Sequence, residues 1–185
     1  MDEGQRVIAH VLATVGGRVH TTKLVKLVYL VDYVYAQNFG QTATGFKYHW
    51  DHYGPNAVGH AVIRETEDLV NRGVVSCYQH ISMYGTLAMM FKIADPERLP
   101  PLEPAKSAVV RDILAQFGHM GIRDITAASK RTAPFKNAKQ YDVLDLDETK
   151  NALYTSREDF AAYQGELKKH PPISLEEVHA ELGIS

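Results

Sequence analysis

The stretch Thr22-Lys23-Leu24-Val25-Lys26-Leu27-Val28-Tyr29-Leu30-Val31-Asp32 decides the fold. Leu24, Leu27, Val28 and Val31, continued by Val34 and Tyr35, recur at the spacing of one helix face. Valine is stiff at χ1 and works mildly against a helix, but the period outweighs it. Either Thr21 or Thr22 can cap the start with a side-chain oxygen, and Gly40 stops the helix after about residue 38. Lys23, Lys26 and Tyr33 then fall on the edges or outer side of an apolar stripe, which needs neighbours to cover it.

Those neighbours are legible on both sides. Upstream, Val7, Ile8, Val11, Leu12 and Val15 predict a helix over 2–14 that ends at Gly16-Gly17. Downstream, residues 46–53 alternate, with Phe46, Tyr48, Trp50 and His52 on one face of an extended segment. Gly54-Pro55 then leads into a further helix, with the proline in its first turn and Val58, Ala61, Val62 and Leu69 buried. Two β-rich runs, 74–80 and 87–93, predict an antiparallel pair. Helices follow over 105–117 and 122–130, and Pro134 closes that segment. Ser156 and Ser174 open capping arrangements for helices over about 157–168 and 175–182, separated by Pro171-Pro172. The expected class is α+β, predominantly helical, with a compact helical core and a small antiparallel β hairpin or sheet. The element order has a loose likeness to a winged-helix module. Residues 1–145 are expected as one domain, with 146–185 a C-terminal helical extension packed on it.

With 185 residues, the chain can bury a core without disulfide or metal staples. Cys77 is the only cysteine, so an internal disulfide is excluded. The opening MDEGQRVIAH lacks a basic-then-apolar leader pattern, and apolar runs such as 87–91 are too short to span a bilayer. A cytoplasmic setting away from membranes is the expectation. Lys and Arg total 20 against 22 Asp and Glu, a formal charge of −2. Nucleic-acid binding is disfavoured on that balance, because phosphate neutralisation supplies much of such affinity.

Catalytic signatures are missing from the sequence. It contains no HExxH, GxSxG, P-loop or kinase pattern. The acidic pairs Asp145/Asp147 and Glu176/Glu177 read as solvated charge. His49, His52 and His60 form the nearest imidazole group, but an extended chain sends His49 and His52 to opposite faces. No cysteine pair completes a zinc site, and Cys77 inside an apolar run reads as packing. We expect no enzyme, no cofactor and no metal.

Three segments occur in order: the helix just quoted, Trp50-x-x-Tyr53-Gly54-Pro55, and Ile125-x-x-x-Ser129-Lys130-Arg131-Thr132-Ala133-Pro134-Phe135. Over roughly residues 5–140 this set resembles the Panacea family of SocA-like antitoxins and phage-associated GepA-like proteins. That family has a K-L-x-K-L-x-Y-x-x-D helix, an aromatic residue before G-P, and a late T-H-x-x-x-P-W segment. Lys23, Leu24, Lys26, Leu27, Tyr29 and Asp32 match the first in kind. Trp50, Gly54 and Pro55 match the second, and Pro134 and Phe135 the third. Ser129 and Lys130 stand where threonine and histidine are usual, so no role of that histidine passes to this chain.

The resemblance implies an antitoxin domain over 1–145 that binds and neutralises a partner protein toxin by direct contact, the toxin being encoded by an adjacent gene. It brings no catalytic residues. One alternative is a proteolytic adaptor that delivers a toxin to an ATP-dependent protease. Another is a DNA-binding regulator built on a winged-helix-like module. The oligomeric state is not set by the sequence.

The partner-binding or motif-supporting candidates are Lys23, Lys26, Tyr29, Asp32, Tyr33, Trp50 and Arg131. Lys23, Lys26, Tyr29 and Asp32 recur every three residues, so their side chains can meet along one strip. The strip serves either helix solubility and ordering of the aromatic segment, or partner contact. Phe46, Tyr48, Trp50 and Tyr53 either seat the extended segment on the helices or anchor a toxin. Lys130, Arg131, Lys136 and Lys139 form the densest basic cluster, open to water, an acidic protein or nucleic acid.

Overall fold

A computed structural model describes residues 1–81 and 87–146. Its centre is helix α2 (Thr21–Phe39), the quoted stretch and its continuation. Around it lie α1 (Glu3–Val15), α3 (Ala61–Asn71), α4 (Pro104–Phe117) and α5 (Ile122–Lys130). Enclosed from several sides, α2 buries every residue from 24 to 32, not one stripe. Lys26, expected at an edge, is only 3% exposed.

The helix ends follow local chemistry. Asp2 and Gln5 cap α1 reciprocally: Gln5 N donates to Asp2 Oδ1 at 2.8 Å, and Asp2 N to Gln5 Oε1 at 3.3 Å. Helix α2 is capped by His20, whose Nδ1 accepts from Thr22 N at 3.1 Å. Thr21 instead lies inside the first turn, and its hydroxyl donates to Met89 O at 2.9 Å. Gly40 ends α2 at φ 69°, in the left-handed region.

Two three-stranded antiparallel sheets flank the helices. In the first, β4 (Val75–Ile81) and β5 (Leu87–Ile93) pair from Val75↔Ile93 to Ile81↔Leu87. Strand β1 (Val19–His20) joins the other edge of β5, giving the order β1-β5-β4. In the second, β2 (Tyr48–His49) lies between β3 (Asn56–Ala57) and β6 (Val143–Leu144). The path α1–β1–α2–α3–β4–β5 has winged-helix connectivity, with residues 40–60 inserted between α2 and α3. The fold is α+β and predominantly helical. None of the described helices is long and apolar enough to cross a membrane.

The inserted stretch departs most from expectation. Of residues 46–53, only Tyr48 and His49 pair as strand; Tyr48 is buried, Phe46 and Trp50 are half-buried, and His52 is exposed. Pro55 does not begin α3, because β3 and a 3-10 turn (Val58–His60) come first, which leaves Val58 exposed. Pro134 opens the short helix α6 (Ala133–Asn137) instead of closing a segment. The helices expected over 157–168 and 175–182 lie outside the described residues, as does all of the extension beyond Leu146.

Candidate functional site

Helix α2 carries Lys26, Tyr29 and Asp32 at three-residue steps, and each fixes a different part of the chain. Asp32 has no exposed surface. Its Oδ1 accepts from Thr44 N at 2.8 Å, and its Oδ2 accepts from Tyr48 OH at 2.6 Å and from the Thr44 hydroxyl. Removal from water pushes the carboxyl up to about 6, against the pull of these donors. Burial and the adjacent Asp32 raise the Tyr48 hydroxyl well above its ordinary range.

Tyr29 reaches the late segment. Its hydroxyl lies 2.6 Å from Thr132 Oγ1, which itself donates to Ser129 O at 2.9 Å. The threonine hydrogen being committed to that carbonyl, Tyr29 is the donor to Thr132. The Tyr29 ring meets Tyr48 edge-on at 5.1 Å and stacks on Tyr33 at 6.3 Å. Burial raises its hydroxyl pKa as well.

Lys26 Nζ donates to Pro55 O at 2.7 Å. Burial lowers the ammonium to about 8, with Asp51 opposing the shift. Gly54, beside Pro55, has φ +91°, and a Cβ there would sit 3.1 Å from Ser129 Oγ and 3.3 Å from Lys26 Cε. Glycine permits both the backbone conformation and the approach of α2 to α5 at this point. Segments 44–48, 54–55 and 129–132 are thus each tied to one side of α2.

The remaining candidates lie around this spine. Lys23, half-buried, donates to Gly118 O at 2.6 Å at the end of α4. Tyr33 is half-buried, and its hydroxyl accepts from Gln37 Nε2 at 2.7 Å. Trp50 stacks on Phe135 with ring centres 5.2 Å apart. Arg131 is exposed at the end of α5. Thr44, Thr132, Ser129 and the Pro55 carbonyl, all parts of the spine, were not singled out from the sequence. Thr132 and Ser129 carried a signal by lying inside the late motif and Pro55 by lying inside the second motif; Thr44 carried none.

This arrangement positions backbone and fills polar valences. Among the described residues no group of three or more His, Cys, Asp or Glu is placed to hold a metal ion. Fold and spine define a small α+β domain whose motif side chains bond to its own loops. The family described as antitoxin SocA-like, Panacea domain, matches residues 24–136, more than half of the chain, and the chain belongs to that family. The matched region holds the whole spine, from Lys26 to Thr132. No curated protein and no solved structure matches the chain. Family membership associates it with toxin–antitoxin pairs.

Proposed function

We propose that the chain is an antitoxin that holds a partner toxin by direct protein contact and covers the surface the toxin needs. The family match supports the pairing. The observation that carries the contact mode is the buried spine: Lys26, Tyr29 and Asp32 fix three loop segments before any partner arrives. A prearranged surface loses little conformational freedom on binding.

The winged-helix connectivity gives DNA binding a specific geometry, with α3 as the helix offered to a groove. Its charges speak against that use. Glu65, Glu67 and Asp68 oppose a single Arg64 within the helix, which repels phosphate. Gln5 Nε2 already donates to Glu65 and Asp68 at 2.9 Å each, so two of these carboxylates clasp α3 to α1.

The test is co-expression with the protein encoded beside the chain. Growth rescue together with a purified two-protein complex is expected. Toxin that persists in the rescued cell marks masking, whereas toxin lost only when an ATP-dependent protease is present marks delivery. A folded chain that leaves the toxin fully active removes the antitoxin reading.

A further inference from the structure

We propose that the partner docks on the aromatic and basic face around His52 and Tyr53, presenting an acidic surface of its own. The inference rests on the antitoxin reading and adds the site and its chemistry. Three contacts gather this face. Lys130 Nζ donates to His52 O at 2.7 Å, Trp50 stacks on Phe135, and Trp50 N donates to Asp142 O at 2.8 Å. The 50–53 loop is thereby held between the α5–α6 segment and residues 141–143.

Large side chains crowd the outside of that junction. Tyr53 is 73% exposed, Tyr141 74% and Val143 61%. Tyrosine combines wide contact area with few rotatable bonds, and it is enriched where binding energy concentrates. The loop beneath is set: Asp51 Oδ1 accepts from Tyr53 N at 2.8 Å, and the His52 and Tyr53 rings meet edge-on at 5.1 Å.

The charge along the α5–α6 segment is one-sided. Between Asp124 and Asp142 the chain carries Lys130, Arg131, Lys136 and Lys139 and no carboxylate, although its overall charge is −2. None of the four makes an ion pair with another described residue. Cations with no ion pair among the described residues, on a segment packed against the exposed-tyrosine loop, complement an acidic protein surface. Nucleic acid fits less well: the Trp50–Phe135 stack occupies ring faces that a base would use.

The experiment uses the full chain and the protein encoded beside it. The exposed set Arg131→Glu, Lys136→Glu and Lys139→Glu is expected to weaken the complex at least about tenfold, most at low salt. Tyr53→Ser with Tyr141→Ser is expected to weaken it about tenfold at all salt concentrations. Circular dichroism and thermal unfolding check that both variants fold; Glu67→Lys on α3 is the control and keeps wild-type affinity. If the wild-type chain forms no complex, the antitoxin reading falls and this inference with it. If it does and both variants bind as tightly, only the docking face falls. Binding of a short single-stranded RNA that the charge reversal abolishes, with the protein complex intact, assigns the face to nucleic acid and also overturns the inference.

Discussion

The Tyr29 hydroxyl donates across 2.6 Å to Thr132 Oγ1, joining residues 103 positions apart in the chain. Both side chains are buried, and Thr132 passes its own hydrogen to Ser129 O. The late motif segment is thus fastened to the central helix through a two-step relay. Tyr29→Phe keeps the ring against Tyr33 and Tyr48 and deletes only the bond. We expect a loss of about 1 kcal/mol in urea unfolding. A double-mutant cycle with Thr132→Val should return a coupling of about 0.5–1.5 kcal/mol. Simple additivity of the two changes counts against the relay.

Asp32 gives stability an unusual pH slope. Its folded value of about 6 lies above the ordinary 3.8, so the native state holds the proton more tightly than the unfolded one. Stability from this group is therefore greatest below about pH 4 and falls as pH rises to about 6. The difference is on the order of 2–3 kcal/mol. Comparing urea midpoints across this window, Asp32→Asn should flatten the slope relative to the wild-type chain. A variant whose slope equals the wild type's contradicts the assignment.

Lys26 titrates with the opposite consequence at high pH. Its folded value of about 8 is below the ordinary 10.5, so the unfolded state binds the extra proton between those values. Stability rises with pH across that window as the native amine becomes neutral while the unfolded one stays charged. Lys26→Met retains the stem and has no proton to release, so that rise should disappear from the unfolding curves.

Gly54→Ala meets two obstacles at once, the +91° φ and the short contacts to Ser129 and Lys26. A loss of about 2 kcal/mol or more is expected, read as a fall in thermal midpoint. An alanine variant as stable as the parent shows that the α2–α5 approach can relax.

Periodicity made α2 readable because Leu24, Leu27, Val28 and Val31 repeat within a single element. The β4–β5 pair was equally legible, as two β-rich runs joined by a short connection. Lys26 was misplaced because period identifies a face but not how many neighbours surround a helix; five or more elements meet α2. Pro55 and Val58 were misread for a related reason. Gly-Pro is a local helix-start signal, yet here Asn56 and Ala57 first pair with β2. The candidate site was half legible: Lys26, Tyr29 and Asp32 stood out as a strip and Thr132 lay inside the late motif, whereas Thr44 is an ordinary threonine until folding brings it to α2. The His20 cap was hidden because the adjoining threonines are stronger capping residues by composition.

Strand β2 is held by β3, a few residues further on, and by β6, near residue 144. During synthesis, the near partner is available at once and the far one only after nearly all of the described chain has emerged. Until then Tyr48 and His49 keep one side open, while the hydroxyl of Tyr29 waits only for the earlier Thr132. A nascent chain cut short before Val143 is therefore left with a half-laced sheet, which couples the order of translation to the completion of the motif-bearing half of the molecule.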